Sequence, residues 1–194
     1  MINIILFGPP GAGKGTQSAK IIEKYSLTHI STGDIFRKHL KEGTPLGKLA
    51  KEYMDKGNLV PDQVVIDMVD DKIQSSGNIE GVIFDGFPRT IPQAEALDAL
   101  LQSKSAPIKI LIELVVPENE LRVRLAGRAI KENRPDDAKP EVIENRISVY
   151  KAETAAVADY YKKHNKYASV IGVGAEKEVF ENICREIDKS LLIK

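Results

Sequence analysis

The sequence predicts an α/β protein built on a parallel five-stranded sheet with helices on both faces. Two observations carry this. Short apolar runs alternate with stretches of helical periodicity along all 194 residues. The two strongest runs, 2–7 (INIILF) and 108–116 (IKILIELVV), read as strands buried on both faces. Strands that alternate with helices pair in parallel through helical crossovers.

The elements follow in chain order. Strand 2–7 closes at Gly8 and two prolines, and a Gly-rich loop leads into a helix over 14–25. Residues 28–30 form a second short strand. Residues 34–40 and 46–56 are two short helices broken by Gly43-Thr44-Pro45, and 62–73 is another. A strand over 82–84 ends at Asp85, and 91–102 is helical. After strand 108–116, Pro117 turns the chain into a helix to about 129. One long helix spans 141–163, a fifth strand 169–173, and a closing helix 176–191. Sheets of this kind bind ligands at the carboxyl ends of their strands. Segments 8–16, 31–37 and 85–89 each follow a strand, so the fold gathers them on one edge.

Charge excludes some functions. The chain has 28 basic and 28 acidic residues, so no global field draws it to nucleic acid or an anionic membrane. Anion specificity must come from local placement of Arg and Lys. The single cysteine, Cys184, cannot close an internal disulfide, and no Cys/His cluster has zinc-ligand spacing. The apolar run at Ile4 to Phe7 is far too short for a signal peptide or a membrane span. The expected location is the cytoplasm.

The strongest motif is Gly8-Pro-Pro-Gly-Ala-Gly-Lys-Gly-Thr16, placed after a strand and opening a helix. Glycines let backbone N–H groups curl around a phosphate, and the helix N-terminus adds its dipole. Lys14 can reach a transferring phosphate, and the Thr16 hydroxyl can help hold a metal and phosphates. This makes the sheet a P-loop NTPase type. Gly15 separates the lysine from the hydroxyl residue, which argues for a kinase subgroup rather than a GTPase or motor. A second signal is Val82-Ile-Phe-Asp85, an apolar strand that ends in a carboxylate where P-loop enzymes orient Mg2+, often through water. Arg124 and Arg128, four apart on one helix face, with Arg134 and Arg146 behind them, would repel unless anions sit between them.

With these residues in place, the chain resembles adenylate kinase along nearly its whole length. GPPGAGKGT, Ser31-Thr-Gly-Asp-Ile-Phe-Arg37, Asp85-Gly-Phe-Pro-Arg89 and Gly127-Arg128…Arg134-Pro-Asp-Asp137 occur in that family's order and near its spacing. The resemblance implies an ATP site at Gly11, Ala12, Gly13, Lys14, Gly15, Thr16, Arg124, Arg128 and Gly174. It implies an AMP site at Thr32, Arg37, Asn58, Leu59, Val60, Gly86, Phe87, Pro88, Arg89, Gln93, Arg134 and Arg146. Lys14, Arg89, Arg124, Arg128, Arg134 and Arg146 would offset charge during transfer, and Asp34 and Asp85 would arrange the waters of Mg2+. An Arg fork suits bidentate phosphate contacts, and a Gln amide suits a donor–acceptor base edge.

The same resemblance divides the chain into a core (1–30, 61–126 and 138–194), a mobile cover over the nucleoside monophosphate (31–60) and a short lid (127–137) with no zinc. Gly33, Gly43, Gly57 and Gly127 lie near the ends of these covers, as hinges or as helix ends. The stretch from Asp137 to Arg146 is one residue longer than the commonest family spacing. The implied activity is ATP + AMP = 2 ADP with Mg2+, in a monomer without nucleic-acid or membrane partners. Thr32 and Gln93 favour AMP over a UMP/CMP kinase reading. A non-catalytic nucleotide-binding module would not need so many convergent arginines. A P-loop kinase for a small non-nucleotide substrate such as shikimate is a third alternative. No general base is expected, since an AMP phosphate is already ionised and none of His29, His39 or His164 falls in a motif.

Overall fold

Five apolar segments pair into one parallel sheet in the computed structural model, which describes residues 1–77, 80–132 and 139–192. In chain order the strands are β1 (Ile2–Phe7), β2 (Thr28–Ser31), β3 (Gly81–Asp85), β4 (Ile108–Val115) and β5 (Tyr167–Ile171). Their spatial order is β2-β3-β1-β4-β5, with every neighbouring pair parallel. The helices are α1 (Lys14–Tyr25), α2 (Thr32–Lys41), α3 (Pro45–Met54), α4 (Asp62–Ser75), α5 (Ile91–Ser103), α6 (Glu118–Lys131), α7 (Pro140–Val149), α8 (Ala155–Lys163) and α9 (Glu176–Leu192).

Successive strand residues point to opposite faces, and both faces are covered. Ile5, Phe7, Phe84 and Leu111 pack with Val65, Leu97 and Tyr161 from α4, α5 and α8. Ile4, Leu6, Ile83 and Ile112 pack with Ile21, Ile183 and Ile187 from α1 and α9. Burying each such side chain contributes about 1.5–3 kcal/mol relative to exposure. The sheet is therefore the rigid frame that the site is mounted on.

Register aligns the carboxyl ends. Asp85 pairs with Leu6 on one side and Ser31 on the other, and Phe7 pairs with Glu113. The turns after β1, β2 and β3 thus open on one edge, as expected. Chain order reverses across β1, which lies between β3 and β4, and such a switch point leaves a crevice outside the strand ends. Side-chain caps start the helices around it. Ser31 accepts from the Asp34 amide at 3.3 Å, Thr44 from Gly47 at 3.1 Å ahead of Pro45, and Thr90 from Gln93 at 3.3 Å.

Two expectations need correction. The fifth strand lies at Tyr167–Ile171, two residues earlier than its most apolar stretch, because pairing with β4 sets it: Leu111 pairs with Tyr167 and Val115 with Ile171. As an edge strand it buries only Val170, so apolarity is a poor guide to its ends. The long helix over 141–163 is interrupted. A π-helical turn, Tyr150–Thr154, separates α7 from α8. Here Tyr150 stacks 5.8 Å from Phe7 and donates to Glu113 on β4 at 3.0 Å, while Tyr167 donates to the other Glu113 oxygen at 2.6 Å. Burial and the adjacent carboxylate push the Tyr150 hydroxyl pKa well up, so it stays a donor. Of the four hinge glycines, Gly43 and Gly57 end helices at φ 67° and 77°, while Gly33 and Gly127 lie inside α2 and α6. Arg134, Asp137 and the rest of the lid segment from residue 133 onward fall outside the described residues.

Candidate active site

A cleft of about 1030 Å3 opens at the carboxyl edge of the sheet. It is lined by the turns after β1, β2 and β3 and by side chains of α6 and α7. This is at the upper end of the range for small-ligand pockets.

The β1–α1 loop forms one half. Gly11 and Gly13 stand at φ 84° and 93°, and Gly13 is the residue from which α1 starts. L-residues rarely adopt this region, so glycine is what the curled backbone demands. Ala12 is buried beneath the loop, whereas Gly15 and Thr16 are exposed to the cleft. Lys14 folds over the loop and donates to the Gly8 and Pro9 carbonyls at 2.7 and 3.0 Å. Burial lowers its pKa to about 8. The Asp85 carboxylate opposes this shift, while Arg89, Arg128 and Arg146 reinforce it. Arg124 closes the side of the loop. Its Nε donates to Glu120 at 2.7 Å and its Nη1 to the Gly172 carbonyl at 3.0 Å. Gly174, also lining the cleft, follows at φ 115°.

The other half is made of side chains. The Gly86 carbonyl accepts from the Thr32 hydroxyl and from Arg89 Nε, both at 2.8 Å. A Cβ on Gly86 would lie 3.0 Å from each of these two side chains, and its φ is 74°. The residue is glycine because both partners close over it. Arg37 Nη2 donates to Asp34 at 2.5 Å. Burial alone would raise the Asp34 pKa, but the Arg37 contact outweighs it and holds the carboxyl below the usual range. Gln93 is buried at the cleft wall, 1% exposed, and its Oε1 accepts from the Arg89 amide at 2.8 Å. Asn58, Leu59, Val60, Phe87 and Pro88 line the same wall.

Positive charge converges between the halves. Arg89 lines the cleft between its protein walls and is exposed to it. Burial there lowers its pKa to about 10. Arg146, Arg37 and Arg128 push the same way against Asp85. Guanidinium stays protonated at any working pH, so these crowded cations favour an anion among them.

A family model described as adenylate kinase matches residues 6–166. A protein named adenylate kinase from Bacteroides fragilis is 47% identical over 188 residues, covering 97% of this chain and 99% of its own. One from Azobacteroides pseudotrichonymphae is 49% identical over 188 residues, with 97% and 98% coverage. One from Methanothrix thermoacetophila is 41% identical over 213 residues, with 97% and 99% coverage. The chain belongs to the adenylate kinase family. It is a nucleoside monophosphate kinase, a phosphotransferase.

Against the adenylate kinase resemblance, the described ATP and AMP residues line the same cleft, and Arg134 lies outside the described residues. Asp34 and Asp85 are both on the cleft, but Asp34 directs its carboxylate at Arg37. Several neighbours escaped sequence reasoning. His29 lines the cleft with Nε2 3.8 Å from Asp85. Glu113 and Tyr150 brace the helix that carries Arg146. Asp62 holds Gln93. Only His29 had a signal, since it sits two residues before Ser31 on β2, level with Ile83 of β3.

Proposed function

We propose that the chain transfers the terminal phosphoryl group of ATP to AMP and runs the reaction in both directions. The observation that carries this is the convergence of Arg128, Arg146 and Asp85 on Lys14 and Arg89 in one cleft at a phosphate-type loop. So many cations on one cleft floor suit two phosphate chains meeting end to end, not one.

The glycine loop would cradle the ATP phosphates through backbone N–H groups, with Lys14 moving from the Gly8 and Pro9 carbonyls to the transferring phosphate. Arg124 would hold the side of the triphosphate, and the backbone at Gly174 would pass the ATP base. Arg37 and Arg89 would grip the AMP phosphate, with Arg37 exchanging Asp34 for it. Thr32, Gly86 and Gln93 would face the adenosine. Arg128, Arg146 and Arg134 would offset charge on the transferring group. The acceptor is already an anion, so the chain holds and aligns it and moves no proton.

Hard oxygen donors suit Mg2+ delivered with the nucleotide: Asp85 at the end of β3 and the exposed Thr16 hydroxyl at the start of α1. Held there, Mg2+ would supply charge neutralisation for the phosphate oxygens. Residues 31–60 and 127–137 are read as covers that close over the core and keep water, a competing acceptor, out. The working unit is read as a monomer in the cytoplasm. Among the described residues no helix is long and apolar enough to cross a membrane.

The test is phosphorus NMR on purified protein with Mg·ATP and AMP, UMP, CMP or no acceptor. The expected result is fast ADP formation with AMP alone, reversible from ADP and dependent on Mg2+. Faster turnover of UMP or CMP would overturn the acceptor. Silence with every acceptor in ATP-binding protein would overturn the reaction.

A further inference from the structure

We infer that Asp62 is a positioning residue for base selection. It fixes which way round the Gln93 amide stands, and so selects adenine over a purine whose hydrogen-bonding edge has the opposite polarity. This rests on the AMP reading proposed above.

Four hydrogen bonds build the clamp. Gln93 Nε2 donates to Asp62 Oδ1 at 2.7 Å. Thr90 Oγ1 donates to the same oxygen at 3.0 Å and accepts from the Gln93 backbone N–H at 3.3 Å. On the opposite end, Gln93 Oε1 accepts from the Arg89 backbone N–H at 2.8 Å. The side chain is 1% exposed and lines the cleft.

A primary amide can turn over and exchange its oxygen and nitrogen at little steric cost. Here the two partners forbid it. An ionised carboxylate only accepts and a backbone N–H only donates. Turning the amide would set Oε1 against the Asp62 carboxylate and Nε2 against the Arg89 N–H. Two part-buried groups would lose their partners and face like polarity, against a Gln93 side chain that is itself buried. Asp62 and Arg89 therefore specify one orientation from opposite ends.

Each end of Gln93 keeps one unused position, an N–H on Nε2 and a lone pair on Oε1. Together they form a donor beside an acceptor. Adenine offers the complement: N6–H donates to the oxygen and N1 accepts from the nitrogen. Hypoxanthine has the same ring and nearly the same shape, but its O6 accepts and its N1–H donates. It meets the clamped amide with donor against donor and acceptor against acceptor. A site built to hydrogen-bond one pattern rejects its inverse strongly, because buried polar groups are then left unpartnered.

A simpler role for Asp62 is electrostatic, since it stands in the first turn of α4. The two roles separate by experiment. Asp62→Ala removes both charge and acceptor. Asp62→Asn removes the charge but keeps Oδ1 as an acceptor for Thr90 and Gln93. Initial rates would be measured with Mg·ATP and either AMP or inosine monophosphate, beside thermal unfolding of each variant. Asp62→Ala is expected to raise KM for AMP about tenfold with kcat little changed, and to narrow the AMP-to-IMP ratio of kcat/KM by roughly tenfold. KM for ATP should not move, and Asp62→Asn should restore most of the ratio. An unchanged ratio in Asp62→Ala overturns the inference, as does an Asn variant as unselective as the Ala variant.

The Gln93 side-chain amide, followed by 15N NMR in the ligand-free protein, reports the clamp without any turnover. One hydrogen-bonded, slowly exchanging proton is expected in the parent and its loss in Asp62→Ala. If the parent fails to phosphorylate AMP, the functional reading falls. If the parent works and this amide signal is the same in both proteins, the clamp alone falls.

Discussion

The two halves of the cleft are built from different material. The half formed by the β1–α1 loop is backbone, shaped by glycines at positive φ and closed by Arg124, which is tied to both Glu120 and the Gly172 carbonyl. The half formed after β2 and β3 is side chain. Thr32, Arg37, Arg89 and Gln93 hold one another or near neighbours through Gly86, Asp34 and Asp62. Backbone N–H groups bind any phosphate alike, so on the proposed reading the first half would supply grip and alignment. Side chains differ in shape and polarity, so the second half would supply choice. Altering the first should therefore change how much is bound, and altering the second what is bound.

The largest break in this comparison is at the meeting point. Arg89→Ala is expected to lower turnover on the order of a thousandfold or more while circular dichroism stays unchanged, because arginine aligned on a transferring phosphoryl group contributes that much in this class of site. Near-normal turnover would remove Arg89 from the machinery.

A smaller effect separates glycines within the loop. Gly13 at φ 93° needs its conformation, whereas Gly15 has no positive φ and a methyl added there would meet nothing within 4 Å. Gly13→Ala is expected to cost about 1–2 kcal/mol of stability. Gly15→Ala, in the first turn of α1, should be neutral or stabilising by up to about 1 kcal/mol. Urea unfolding of the ligand-free proteins compares them, and equal losses would contradict the distinction.

A third effect is on pH. Lys14 has its pKa lowered to about 8 in the fold. Below that value the amine is charged and ready for phosphate. Above it the free protein loses the proton, so binding must take one up, and affinity for a non-hydrolysable ATP analogue should fall by up to about tenfold per pH unit. For stability the sign is opposite. The unfolded chain holds this proton up to the ordinary lysine value, so raising pH through the window above about 8 favours the fold. Calorimetry in buffers of different ionisation enthalpy detects the proton taken up. Affinity that is flat between about pH 7 and 9.5 would contradict this role for Lys14.

The strands and the loop residues were legible in the sequence because each motif follows an apolar run, and register does the rest. Asp85 comes level with Leu6 and Ser31 once those runs pair. What could not be read depends on tertiary approach. Asp62 lies 28 and 31 residues from its partners Thr90 and Gln93, and nothing in a helix N-terminal Asp reveals that meeting. The π-helical turn at Tyr150 has no Gly or Pro to announce it. It coincides with contacts to Phe7 and Glu113, which are far along the chain. The position of β5 is two residues off its most apolar stretch because an edge strand is set by its one neighbour more than by its own apolarity.

The central claim, one cleft with separately built donor and acceptor halves, is tested most directly by crossed calorimetric titration. A non-hydrolysable ATP analogue and AMP would be titrated into the parent, Lys14→Met and Arg37→Ala proteins. Arg37→Ala should lose about 1.5–3 kcal/mol of AMP affinity, roughly ten- to a hundredfold, with the ATP analogue changed less than about twofold. Lys14→Met should do the reverse, and the parent should bind one of each ligand together. Competition between the two ligands in the parent, or equal loss of both in either variant, would contradict the account.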